Sequence, residues 1–180
     1  MLYDTHMHTH HSGDSEAAVQ DMIESAIRKE LDGICFTDHF DYDYPDEPDL
    51  FLLDFDSYYK EIMSLQEKYK GRIPILWGVE IGLQPQIVDV NRCTTSRYPF
   101  DFVIGSSHVV HGVDPYYPKY YKGRTKRIWN ILNQSSRICT LTQTLTYMGT
   151  SITSSATVRT ETRIILIRST PISLTKFFAL

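Results

Sequence analysis

Cysteine is scarce in this 180-residue chain: Cys35, Cys93 and Cys139 are odd in number, widely spaced and without any Cys-x-x-Cys pair. That argues against a disulfide framework and against a thiolate zinc site, and leaves three thiols expected to be buried. No apolar run approaches the ~18 to 20 residues that a membrane span needs. The start, Met1-Leu2-Tyr3-Asp4, lacks the basic-then-apolar order of a signal peptide. The expectation is a cytoplasmic protein with no membrane partner. An excess of positive charge is missing too. Lys and Arg number 18 against 22 Asp and Glu, a net −4, so there is no basic patch to neutralise a phosphate backbone and nucleic acid is not the expected partner. At 42% hydrophobic and 22% charged, the chain suits one buried core.

The average hides a break near Arg127. All seven His and every Asp lie before residue 128, whereas residues 128–180 carry 18 Ser or Thr and one acid, Glu161. That tail has neither the composition of a solvated linker nor a clean helical or strand period.

Before the break, strand-like and helix-like segments alternate. Leu2 to Thr5 predicts a short strand. Ser15 can cap a helix with Val19, Met22, Ile23, Ala26 and Ile27 on its apolar face. Ile34 to Thr37 reads as a buried strand, and the loop from Asp41 to Asp54 is kept irregular by Pro45 and Pro48. Asp56 can cap a second helix with Tyr59, Ile62, Met63, Gln66 and Tyr69 facing the core, ended by Gly71. Ile73 to Ile81 and Phe100 to Gly105 follow as strands, with a weaker helix over Gln86 to Arg92 between them. Buried strands separated by helices imply βα units around a parallel sheet.

The chemistry gathers just after the strands: His6 and His8 after the first, His39 after the second, Glu80 at the end of the third and His108 after the fourth. In parallel βα architectures those ends form one face, where residues distant in sequence converge. Imidazoles and carboxylates without cysteine suit Zn, Mn or Fe(II), with Glu80 able to bridge two ions. His6 and His8 lie two apart on an extended segment and point the same way. Asp38 is expected to orient a ligand rather than to be one. His10 and His11 are expected in a solvated loop, and the acidic stretch Asp41 to Asp49 as a solvated lid or edge. Tyr42 and Tyr44 are placed within reach of a substrate.

These segments carry a resemblance. Asp4-Thr5-His6-Met7-His8, Ser12-Gly13-Asp14-Ser15, Phe36-Thr37-Asp38-His39, Gly78-Val79-Glu80 and Asp101 to His108 resemble, in order, the motifs of the polymerase and histidinol phosphatase (PHP) family, and within it those of the bacterial histidinol-phosphatases. The resemblance implies a distorted (β/α)7 TIM-like barrel of α/β class, incomplete here at about the first four βα units. It also implies up to three divalent ions, Zn, Mn or Fe: the first on His6 and His8, Glu80 bridging to the second on His108, and the third on Asp14 and His39. The implied activity is hydrolysis of a small-molecule phosphate ester, L-histidinol phosphate, by a hydroxide held at His6, His8 and Glu80. The same barrel could instead act on phosphotyrosine, a nucleotide or a DNA 3′ end, or persist as a non-catalytic remnant. Further family ligands, a His after the fifth strand and a late Asp-x-His, have no counterpart, because no histidine follows His111.

The domain reading is therefore an N-terminal barrel part over residues 1–127 and an aberrant tail over 128–180, read out of frame. A shift of two nucleotides forces Glu from Trp129-Asn130 and Gly from Met148-Gly149. Over Thr146 to Arg159 it permits a string like the family's fifth-strand motif with its His.

Overall fold

The computed structural model describes residues 2–117, Tyr120, Gln134 and the backbone of residues 147–149. Six strands and three helices are formed among them: β1 (Tyr3–Met7), α1 (Val19–Arg28), β2 (Gly33–Phe36), β3 (His39–Phe40), α2 (Phe55–Lys68), β4 (Ile75–Gly82), a 3-10 turn at Pro85–Ile87, α3 (Val88–Arg97), β5 (Phe102–Ser106) and β6 (Tyr147–Gly149). All pairings are parallel, in the order β1-β2-β4-β5-β6, with β3 alongside the second half of β4. The fold is α/β, a curled parallel sheet that makes an open half barrel, as the alternating pattern predicts. The break at Arg127 and the 128–180 tail lie outside the described residues, apart from β6 and Gln134, whose side chain donates to the carbonyls of Leu83 and Val109.

One continuous core joins the helices to the sheet. Helix α1 buries Val19, Ile23 and Ala26 at helical spacing. Its N-cap is Ala18 rather than Ser15, which instead donates to the carbonyl of His8 at 3.0 Å. Helix α2 is capped by Asp54, whose carboxylate accepts from the N–H groups of Asp56 and Ser57, so Asp56 sits in the first turn and is not the cap. The buried stripe correspondingly falls on Phe55, Tyr58, Ile62 and Leu65, with Tyr69 beyond the helix end. Tyr59, assigned to the core from the sequence, is exposed. Gly71 lies just past α2 with φ +78°, a left-handed geometry that glycine takes without steric cost. Around Trp77 an aromatic cluster packs α2 and the approach to β5 onto β4: Phe100 lies 4.3 Å away and Tyr59 4.8 Å, ring to ring.

The strands differ from expectation mainly at their ends. β1 runs to Met7, so His6 is inside the strand and His8 just beyond it, and β4 begins at Ile75 and continues to Gly82. α3 extends to Arg97. β3, absent from the sequence reading, has a direct consequence: its register sets His39 opposite Glu80 and Phe40 opposite Ile81. Cys35 is buried as expected, but Cys93 is exposed on α3.

Candidate metal centre

Parallel strands end on one edge, and the groups singled out from the sequence meet there. Glu80, on β4, is the hub. Its carboxylate is 3% exposed, with one oxygen 2.7 Å from His6 Nε2 and 2.9 Å from His8 Nε2 and the other 3.1 Å from His108 Nε2. His39 Nδ1 stands 3.9 Å from the same carboxylate. Asp14 reaches in from the loop after β1, 2.9 Å from His8 Nδ1 and 3.5 Å from His39 Nε2.

The loop carrying these ligands is wired to its neighbours. Asp38, fully buried, accepts from the N–H of Thr9 at 2.6 Å and from its hydroxyl. These bonds fix the backbone next to His8. Ser12 donates to Asp14 at 2.6 Å and accepts from the N–H of His39 at 3.3 Å, tying the first loop to β3.

Asp41 departs most from expectation. Assigned to a solvated acidic edge, it is 1% exposed, with one carboxylate oxygen 2.8 Å from His108 Nδ1 and the other 3.2 Å from His39 Nδ1. A sequence signal for it exists: in the extended run His39-Phe40-Asp41, residues two apart face the same way, as His6 and His8 do. Gly82 makes room, because a Cβ there would come within 2.0 Å of the Asp41 carboxylate. Farther along the loop Tyr44 is buried and donates to Asp114 at 2.5 Å, while Tyr42 is exposed. His11, expected in solvent, is largely covered and bonded to Glu61. His111 is exposed.

At His8, His39, His108, Glu80, Asp14 and Asp41 burial works against the charged form, yet the opposite charges prevail. His8 is pushed up to about 9: desolvation opposes this, but its contacts with Asp14 and Glu80 outweigh it. His39 and His108 are raised in the same way, His39 through Asp14 and Asp41, and His108 through Asp41 and Glu80. Against their own desolvation Glu80, Asp14 and Asp41 are held below the usual carboxylate range by the facing imidazoles. Asp38 is shifted the other way by its burial. The same gathering of imidazole nitrogens and carboxylate oxygens suits divalent cations.

Three groups bring their ligand atoms within 4.8 Å of one another here: His6, His8 and Glu80; His39, Glu80 and His108; and His8, Asp14 and His39. Nitrogen and carboxylate oxygen in this mixture suit Zn, Mn or Fe. His39 Nδ1 and Asp41 Oδ2 are buried and face each other without hydrogen-bond geometry, an arrangement that a cation beside them would relieve. The residues present fit a metal centre with Glu80 shared between two positions.

The comparisons with known proteins point to one family. The PHP domain model matches residues 4–163. A "Probable histidinol-phosphatase" of Clostridium acetobutylicum is 38% identical over 127 residues, covering 71% of this chain and 47% of that one. A "Histidinol-phosphatase" of Lactococcus lactis subsp. lactis is 37% identical over 114 residues, 63% of this chain and 41% of its own. The crystal structure of histidinol phosphate phosphatase from Lactococcus lactis, complexed with zinc, L-histidinol and phosphate, superimposes with a TM-score of 0.76 at 30% identity, covering 82% of this chain and 57% of that one. This chain spans less than half the length of the curated relatives it matches. With the family match running over most of its residues and the half barrel and strand-end donors in place, the chain belongs to the PHP family.

Proposed function

We propose that this chain carries the metal-binding half of a cytoplasmic phosphomonoesterase that hydrolyses L-histidinol phosphate to L-histidinol and phosphate. One observation carries the reading: three imidazoles converge on the buried carboxylate of Glu80, in a fold like that of a histidinol phosphate phosphatase holding zinc, L-histidinol and phosphate. We assign His6 and His8 to one ion, Glu80 to the bridge, His108 to a second ion, and Asp14 with His39 to a third, the metal being Zn, Mn or Fe. When bound, such ions supply Lewis acidity toward phosphoryl oxygens and a nucleophile at neutral pH.

The protein's part is placement, which is most of what phosphoryl transfer asks of an enzyme. Asp41 fixes the Nδ1 side of His108, so that Nε2 is the nitrogen turned to Glu80. Asp38 and Thr9 hold the loop that carries His8, and Phe51 lies against His39 at 4.9 Å, keeping water from that side of the ring. Residues 128–180 belong to this proposal as a segment read out of frame, supported by the absence of histidine after His111 and by the single acid in the tail.

The test is phosphate release from L-histidinol phosphate, phosphotyrosine and a nucleotide by the frame-restored protein, before and after chelation and with Zn or Mn returned. Metal-dependent turnover favouring histidinol phosphate is expected. Equal turnover of the nucleotide, or activity that survives chelation, would overturn the assignment.

A further inference from the structure

A second cluster of metal-ligating groups lies outside the centre just described. His10 and His11 sit on the loop after β1, and Glu61 projects from α2. One Glu61 oxygen lies 2.7 Å from His11 Nε2 and 3.3 Å from His10 Nε2. Two nitrogens and one oxygen thus stand within 4.8 Å of one another. In a tetrahedral or octahedral shell with bonds of about 2.0 to 2.2 Å, neighbouring ligand atoms are about 3.0 to 3.5 Å apart, close to these separations. The His11 contact is aligned as a hydrogen bond, whereas the His10 nitrogen approaches the same oxygen without that alignment.

Both sides of the cluster are held in advance. The N–H of His10 donates to Ala17 at 2.9 Å and that of His11 to the Thr9 hydroxyl at 3.2 Å. Tyr58 and Ile62, which flank Glu61 on α2, are fully buried. The His11 side chain is 9% exposed and anchors the group, while His10 at 44% and Glu61 at 34% leave open positions for water. Two imidazoles and one carboxylate with open positions form a donor set that binds zinc and other divalent transition metals.

We propose that His10, His11 and Glu61 form an accessory site for a divalent transition-metal ion, separate from the Glu80 centre, which clips the ligand-bearing loop to α2. Coordination costs nothing in backbone rearrangement, because the loop and helix already present the three atoms together.

The experiment is metal counting on the full 180-residue chain with zinc as the probe, by dialysis against a graded zinc buffer and elemental analysis, repeated with cobalt for its visible absorption. Wild type is compared with His10→Ala, Glu61→Gln and, for the main centre, Glu80→Gln. His10→Ala and Glu61→Gln are each expected to lose one equivalent, or to weaken it at least about tenfold, together with one component of the cobalt spectrum. Glu80→Gln should lose a different component. Far-UV circular dichroism identifies any variant that fails to fold, and the half-exposed His10 position keeps the test open if Glu61→Gln does. Unchanged zinc stoichiometry and affinity in a folded His10→Ala protein would overturn the proposal and leave the trio as a hydrogen-bonded contact. Loss of zinc in Glu80→Gln alone would uphold the main centre and reject this one.

Discussion

Replacing Asp41 by Asn tests whether the acidic loop is part of the metal centre. The change keeps the size that Gly82 accommodates but exchanges a carboxylate that meets two imidazoles, at 2.8 and 3.2 Å, for an amide whose single oxygen can satisfy one of them. The other Nδ1 then faces an NH2 donor at a position 1% exposed, where neither water nor salt screens the mismatch. Loss of a partner of this kind typically weakens metal affinity or activity by ~10 to 100-fold, or about 1.4 to 2.7 kcal/mol. Asp41 is hydrogen-bonded to His108 and faces His39 across 3.2 Å, so the upper part of that range is expected. Zinc affinity measured by competition with a chromophoric chelator reads the effect directly, with Asp49→Asn, at an exposed position of the same loop, as the control. If Asp41→Asn bound zinc within twofold of wild type, as Asp49→Asn should, the positioning role would be refuted and the loop would be no more than a solvated edge.

Two further outcomes follow from the same geometry. His8→Ala or Glu80→Ala should lower metal occupancy and abolish phosphatase activity in a full-length form, because the buried Glu80 carboxylate has no substitute among its imidazole neighbours; elemental analysis with a phosphate-release assay checks this, and His10→Ala should leave the activity in place. Gly82→Ala would bring a methyl to within 2.0 Å of the Asp41 carboxylate, and displacing that side chain should destabilise the fold by about 1 to 3 kcal/mol, readable as a lowered melting temperature.

The fold was legible where periodicity and burial agree. Val19, Ile23 and Ala26 repeat at helical spacing and all three are buried, and the apolar run of β4 could only be an inner strand. Caps were less legible: Asp54 and Asp56 are both good N-cap residues, and in α2 Ile62 and Tyr69 of the expected stripe are buried whereas Tyr58, not Tyr59, completes it. β3 escaped notice because two residues, His39 and Phe40, are too few for a period. Within the site, Glu80 and the four histidines around it were readable because each lies at or just after the end of a strand expected from the sequence, although β1 and β4 run on past His6 and Glu80. Asp41 was hidden in a run of acids that looks solvated, and its burial comes from the pairing of β3 with β4. His11 was misread because its partner, Glu61, lies 50 residues away, and no local pattern announces such a contact.

The tail decides what this chain can do by itself. His6, His8, Asp14, His39, Glu80 and His108 are gathered around the Glu80 and Asp14 carboxylates, but the further His and the Asp-x-His that the family resemblance implies have no counterpart, since no histidine follows His111. An ion short of a ligand is held more weakly, and even an outer partner is worth ~10 to 100-fold, so two or three under-ligated positions together should leave little turnover. The shifted reading over Thr146 to Arg159 offers the missing His and, soon after it, an Arg whose planar fork suits two phosphate oxygens. We therefore expect the 180-residue chain to show little or no histidinol-phosphatase activity, and a version with the frame restored near Arg127 and extended to the length of its relatives to gain it. Both proteins should be assayed side by side on L-histidinol phosphate with Zn or Mn. Strong metal-dependent turnover by the uncorrected chain would reject the frame assignment and require the tail to supply ligands of another kind.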